Sequence, residues 1–139
     1  MAIVTLTPAD IRVGAGSTVS VGTAGETIVP GDFLYLKAAD NKHWKAINSS
    51  AVEAAVVGVS IGWAAADAPV PYIPINAGTS YLGSATAAWT KGYTYIIGDT
   101  SGGLMPSADV TAGQYVTVSG VAASTTSLLL YSDQTGLVG

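Results

Sequence analysis

Ile28-Val29-Pro30-Gly31-Asp32-Phe33-Leu34-Tyr35-Leu36-Lys37 is the stretch that decides the fold. Pro30-Gly31 is turn chemistry, since proline fixes φ and glycine accepts positive φ. It separates the short β segment Thr27-Ile28-Val29 from Asp32 to Lys37. In the second piece the side chains alternate, Phe33, Tyr35 and Lys37 to one face and Leu34 and Leu36 to the other, which is the period of a strand. Asp40-Asn41-Lys42 then reads as a hairpin turn and His43-Trp44-Lys45-Ala46 as the returning strand.

The same pattern recurs. Ile28 to Leu36 lines up with Trp89-Thr90-Lys91-Gly92-Tyr93-Thr94-Tyr95-Ile96-Ile97, and each copy is followed by a polar turn. Each then reaches a Gly-containing apolar strand, Val57-Gly58-Val59-Ser60 or Val118-Ser119-Gly120-Val121, and a closing strand, Tyr72-Ile73-Pro74-Ile75 or Ser127-Leu128-Leu129-Leu130. Two similar β units over 27–80 and 85–131 are expected within a domain spanning 27–139. Further strands are expected at Ile3 to Leu6, Ser17 to Val21, Val56 to Trp63, Tyr93 to Ile97, Gln114 to Ser119 and Ser127 to Tyr131. Pro69, Pro71 and Pro74 point to an edge position for the strand Val70 to Ile75, because proline cannot donate to a ladder. Ser49 to Ala55 is the one helical turn expected, with Ser50 and Glu53 spaced as a capping box. Residues 5–26 are polar, Gly-rich and weakly patterned, a composition suited to an arm that orders on a partner, and 1–26 is expected to form that N-terminal arm. The fold class is therefore all-β, a small β-barrel or sandwich built from two similar β units with an extended N-terminal arm.

Charge is scarce. Five Lys/Arg and nine Asp/Glu among 139 residues make fourteen charged side chains, where about 35 would be ordinary. A folded monomer of this mass exposes roughly 6,700 Å², hence one charge per about 480 Å². So neutral a surface promotes association, which favours an assembly component over a diffusing enzyme. The five basic residues Arg12, Lys37, Lys42, Lys45 and Lys91 form no stripe, so no nucleic-acid partner is expected. No segment has the length of uncharged apolar sequence needed to span a membrane, and Met1 to Ala15 lacks the basic and apolar regions of a secretory signal. There is no cysteine, so disulfides and thiolate metal sites are excluded.

Catalytic groups are sparse. The lone histidine, His43, reads as a solvent-facing hairpin residue beside Trp44; a general base needs a nucleophile and an orienting carboxylate in reach, and nearby Asp40 has its own role in the turn. Gly98-Asp99-Thr100-Ser101-Gly102-Gly103 resembles the serine loop of trypsin-like proteases, but the inserted Thr100 breaks the Asp–Ser spacing and turn-formers explain all six residues. The nine carboxylates show no spacing of a calcium loop or glycosidase pair. Gly14-Ala15-Gly16-Ser17 lacks the lysine and helix of a phosphate loop. No enzyme activity, cofactor or metal is expected. The aromatics remain: Trp44, Trp63, Trp89, Tyr72, Tyr81, Tyr93, Tyr95 and Tyr115 are candidates for core, for interface anchors, or for a platform that stacks on sugars. Tyr93 and Tyr95 share one face of their strand.

The order of several phrases carries a resemblance. Thr7-Pro8-Ala9-Asp10-Ile11 comes first, then Gly22-Thr23-Ala24-Gly25-Glu26-Thr27-Ile28, and Gly31-Asp32-Phe33-Leu34-Tyr35 leading into Asp40-Asn41-Lys42. Later come Tyr95-Ile96-Ile97, Gly102-Gly103-Leu104-Met105-Pro106-Ser107-Ala108-Asp109 and Tyr115-Val116-Thr117-Val118-Ser119-Gly120-Val121-Ala122. From Thr7 to Leu130 the chain resembles the small β-barrel capsid decoration, or cement, proteins of tailed bacteriophages. That resemblance implies a non-enzymatic virion protein on the outer capsid surface, a homotrimer that bridges major capsid subunits through several contacts acting together. It implies that Thr7, Asp10 and Arg12 of the arm, with Trp63 and Tyr93, contact the capsid or a neighbouring copy. For Arg12 a solvated loop position is the other reading, and for Trp63 burial within its own lobe. The tail from Ser132 is a further segment able to reach a neighbour. A carbohydrate-binding module, or a head-fibre adhesin using exposed Trp and Tyr, is the competing function.

Overall fold

The computed structural model describes residues 4, 6–14, 17–75 and 80–137, with backbone alone at 136–137. Expectations falling on Met1 to Ile3, Thr5, Ala15-Gly16, Asn76 to Thr79 and Val138-Gly139 lie outside the described residues. Eleven strands are present in two antiparallel sheets: β1 Ile11–Val13, β2 Ser20–Thr23, β3 Phe33–Lys37, β4 Lys42–Lys45, β5 Val56–Ser60, β6 Pro69–Pro74, β7 Tyr81–Ser84, β8 Thr94–Ile97, β9 Leu104–Pro106, β10 Tyr115–Ala122 and β11 Ser127–Leu137. Two short 3-10 turns, Pro8–Asp10 and Ser107–Asp109, complete the secondary structure of the described residues. The sheets pack as a sandwich, and they do not join into a closed barrel.

The repeat seen in the sequence is a repeat of topology. One sheet has the order β2-β6-β5-β3-β4, and the other has β7-β11-β10-β8-β9 with β1 added outside β7. Strand for strand the two orders are the same. The turns match too. Gly31 and Gly92, the glycines before β3 and β8, have φ +93° and +85°, a region that side chains with a Cβ disfavour. Gly31 N donates to Ser60 O and Ser60 N to Asp32 O; in the second unit Gly92 N donates to Ala122 O and Ala122 N to Tyr93 O. The turns ending β3 and β8 place Asn41 and Gly102 at φ +57° and +77°, as tight turns require.

The main core lies between the sheets. Phe33, Tyr35, Val56, Val59 and Ile73 from one unit meet Leu82, Trp89, Tyr95, Ile97, Leu104, Leu128 and Leu130 from the other. Each fully buried large apolar side chain stabilises the fold by about 1.5–3 kcal/mol, so this shared core is what joins the two units. A second, smaller cluster of Ala24, Ile28, Leu34, Ala64 and Val70 covers the other face of the first sheet. It is roofed by the paired segments around Ile28 and Ala64, which exchange backbone hydrogen bonds of 2.8 and 2.9 Å. Beyond β2 the chain curls back to β4, where Gly25 N donates to His43 O and the Glu26 carboxylate accepts the Lys45 amide.

Two local expectations change, and the turn expected at Ser49 to Ala55 is present. The strand with three prolines, β6, is interior, flanked by β2 and β5. The Pro71 carbonyl accepts from Ile61, just past the end of β5, and Ile75 N donates to Val57 O, so Pro74 points the other way, toward β2. There β2 has already ended, because Ser20 stands opposite Tyr72. The missing donors thus fall where a partner strand stops, and the ladder tolerates them. Val4 and Leu6 are not in a strand, and the early strand runs Ser20–Thr23 rather than Ser17 to Val21, since the Ser17 hydroxyl is engaged with the Tyr81 backbone. Ser49 to Ala55 is a single turn without a regular helix: Glu53 N bonds Ser50 Oγ, the Ser50 hydroxyl donates to the Glu53 carboxylate, and Ala54 N reaches Ser50 O.

Candidate interaction surface

Among the described residues no group of three or more His, Asp or Glu is assembled to hold a metal ion. Among the described residues no helix is long and apolar enough to cross a membrane. What the surface does offer is exposed apolar bulk on a nearly uncharged skin. The exposed area is 6,244 Å² for fourteen charged side chains, about 450 Å² per charge. Large apolar side chains left in water include Val21, Val52, Trp63, Tyr93 and Tyr131.

Trp63 follows the Gly62 bend after β5 and is 67% exposed, which overturns the expectation of burial within its own lobe. Its local geometry is set by Ser60, whose hydroxyl both donates to Gly62 O and accepts from Gly62 N. Beside it lies a shallow depression of about 260 Å³ lined by Thr27, Ile28, Ala64 and Ala65. Tyr93 precedes β8 and is also exposed. Its ring centroid is 6.5 Å from that of Tyr95, which is buried and accepts the Thr90 amide on its hydroxyl at 2.8 Å. Next to Tyr93 is a pocket of about 240 Å³ formed with Thr94, Pro106, Ser107 and Ala108. Trp63 belongs to the first unit and Tyr93 to the second, and neither of these depressions contains both.

Thr7, Asp10 and Arg12 form one local piece. The Thr7 carbonyl accepts from Asp10 N, closing the 3-10 turn. Asp10 accepts the Thr86 hydroxyl on its carboxylate and the Ala85 amide on its carbonyl, which seats the turn against the second unit. The exposed Arg12 guanidinium donates to Ala9 O and Ile11 O of its own segment at 2.9 and 3.0 Å. Among the described residues of the N-terminal segment, β1 joins one sheet and β2 the other. Ser132 to Thr135 lie within β11, where the Ser132 hydroxyl donates to Val56 O and the Gln134 amide to Ala51 O.

Two polar groups, the buried His43 and the half-buried Asp32, were given no role by sequence reasoning. His43 is 7% exposed, not solvent-facing: its ring packs 4.6 Å from that of Tyr72 and over Gly22, where a Cβ would come within 2.4 Å of Nδ1. Nδ1 meets no hydrogen-bond partner among the described residues. Burial lowers the His43 pKa, against a smaller opposing effect from a hydrogen bond to the Thr23 backbone. Asp32 borders a crevice of about 260 Å³ between the β8–β9 turn, the Val29-Pro30-Gly31 turn and Val4, Leu6 and Pro8. Its carboxylate accepts the Val29 amide at 2.9 Å, and burial raises its pKa despite that bond and the positive charge of Lys45. The hairpin spacing of His43 gave no sign that residues 22–25 would close over it.

Neither a scan of protein-family models nor a search of curated proteins finds a match to the chain.

Proposed function

We propose that this chain is a structural, non-enzymatic virion protein that binds the outer surface of a capsid and stabilises the shell by bridging major capsid subunits as a homotrimer. One observation carries the reading: a two-unit β-sandwich exposes large apolar side chains on a surface with only one charge per about 450 Å², a skin suited to being covered. The resemblance over Thr7 to Leu130 supplies the kind of partner. Trp63 and Tyr93 are the anchors favoured in this reading, because exposed aromatics beside shallow pockets are the usual energetic centres of protein contacts. Thr7, Asp10 and Arg12 contribute a third contact region. Several weak contacts from one trimer make the later ones intramolecular, which accounts for firm attachment without a large single interface.

The test is copy number. Particles made by the genome that encodes this chain are purified, and the protein is quantified against the major capsid protein by mass spectrometry. Hundreds of copies in a simple ratio to the shell subunit support the reading, and absence from the particle overturns it. The second reading, a carbohydrate-binding module or head-fibre adhesin, draws on the exposed ring of Trp63 above its depression. Saturable quenching or a shift of Trp63 fluorescence on titration with polysaccharide favours it.

A further inference from the structure

The sandwich has four sheet edges, at β1, β9, β2 and β4. Exposed edges invite pairing with other chains, and proteins normally guard them with charge, proline, bulges or a covering segment. Three of these four are guarded. Along β4, Lys42 and Lys45 supply charge, Gly25 N bonds His43 O and the Glu26 carboxylate takes the Lys45 amide. On β9, Val4 N donates to Leu104 O and the strand ends in Pro106. β1 is three residues long and carries Arg12 at its centre.

β2, four residues long and met by β4 only at its C-terminal end, carries neither charge nor proline. No charged residue occurs between Arg12 and Glu26, and its sequence Ser20-Val21-Gly22-Thr23 holds no proline. The direction of its free groups is fixed by its neighbours. Ala24 exchanges backbone hydrogen bonds with Asp67 and Ala68, the segment leading into β6, so by strand alternation Ser20 and Gly22 also face β6. Val19, Val21 and Thr23 therefore present their amides on the opposite rim, which is engaged by β4 from Thr23 onward, through the Ala24–His43 bridge and the Gly25 amide, and is left open at Val19 and Val21. The backbone groups of Val19 and Val21 meet no partner among the described residues, and their side chains are 46% and 69% exposed.

We propose that β2 is a self-pairing edge, joined across a two-fold axis at Ser20 to β2 of a second copy of this chain. Antiparallel pairing about that axis sets Val19 opposite Val21 of the partner copy, and Val21 opposite its Val19. Each of these is a mutually hydrogen-bonded pair, because both residues turn their backbone groups to the outer rim. β-branched side chains face each other across the new ladder, a favourable cross-strand combination. The contact is isologous, so one strand satisfies itself and the assembly closes without growing into a fibre. A charged partner strand finds nothing on this edge to recognise, whereas an identical uncharged strand matches it in both hydrogen bonding and side chains. The pairing requires no shell, and a two-fold contact here leaves other surfaces open to three-fold assembly.

Sedimentation of the full chain tests this. Wild type is expected to assemble in an even number of copies at high micromolar concentration. Val21→Lys, which puts a charge on the rim while leaving the β6 side of the strand intact, is expected to halve the mass, and Val21→Thr to retain it. At concentrations where the wild type is assembled, the Val19 and Val21 amide protons should exchange at least about ten-fold more slowly than in dilute protein. That exchange reading stands even where a variant folds poorly. A wild type that is monomeric or trimeric, an assembly whose mass Val21→Lys leaves unchanged, or amide exchange independent of concentration overturns the proposal. Because no capsid enters the measurement, its outcome is separate from that of the copy-number experiment.

Discussion

Gly58 and Gly120 stand at the same point of the two units, each beside a one-residue bulge and each beneath a side chain of the next strand. Gly58 pairs with Leu34 and Val56 with Tyr35, leaving Val57 extra; Gly120 pairs with Tyr95 and Val118 with Ile96, leaving Ser119 extra. A Cβ on Gly58 would lie 2.5 Å from the Tyr72 ring and 2.9 Å from the Ile73 carbonyl, and one on Gly120 would lie 2.7 Å from Leu128 Cγ. Bulges sharpen the local twist, so the duplicated bulge with its glycine gives both sheets the same bend around the shared core. Alanine at either position should destabilise the protein by about 1–3 kcal/mol through overpacking, measured by urea unfolding. Gly58→Ala should cost more, because a backbone carbonyl yields less readily than the Leu128 side chain.

The legible part of this fold was the part written locally. Pro30-Gly31, Asp40-Asn41 and the alternation of Phe33 to Lys37 state their conformations through φ restriction and period, and the second copy repeats them around Lys91-Gly92. Their agreement in two places is what made the two-unit architecture readable. Pairing between strands distant in sequence was not readable. The prolines of β6 implied an edge, but the ends of its two neighbours decided where the missing donors fell, that of β5 for Pro71 and that of β2 for Pro74. His43 looked exposed from its hairpin because nothing within that hairpin encodes the return of residues 22–25 across it. Of the interface residues singled out, Trp63 and Tyr93 do lie exposed, whereas Asp10 spends its carboxylate on Thr86.

His43 makes stability depend on pH. Its folded pKa lies below the ordinary value near 6.5, chiefly through burial, so the folded state binds fewer protons than the unfolded chain as pH falls through that region. The contribution is complete above about pH 6.5 and is lost progressively as pH drops below it toward the folded pKa. The urea midpoint should therefore fall between pH 7.5 and pH 5. His43→Gln, which keeps a polar side chain of similar reach, should flatten that part of the profile. A slope unchanged in the variant would assign the effect to another group.

Asp32 acts in the opposite sense. Burial raises its folded pKa, so the folded state binds more protons than the unfolded chain near that pKa, and the charged form is a burden once pH rises through it. The carboxylate nevertheless accepts the Val29 amide that shapes the Pro30-Gly31 turn. Asp32→Asn keeps an acceptor and removes the buried charge, and should raise the urea midpoint at pH 7. Asp32→Ala removes both, leaves the Val29 amide unpaired, and should lower the unfolding free energy by about 1–3 kcal/mol. A midpoint lower than wild type for Asp32→Asn at pH 7 would mean that attraction to Lys45 outweighs the cost of burial.

Trp63 separates surface function from folding. At 67% exposure it contributes little to the core, so Trp63→Ala should change unfolding free energy by less than about 0.5 kcal/mol. Trp89, 4% exposed and packed in the shared core, should cost about 3–5 kcal/mol on truncation to alanine. Acrylamide quenching distinguishes the two directly, because loss of Trp63 should remove much of the accessible fluorescence while loss of Trp89 should not. If Trp63 anchors the protein on a shell, the same substitution should weaken attachment to purified capsids by about 2 kcal/mol, roughly 30-fold, at unchanged stability. Undiminished attachment would move the contact away from the Gly62 bend, leaving Tyr93 and the Thr7 to Arg12 segment to carry it.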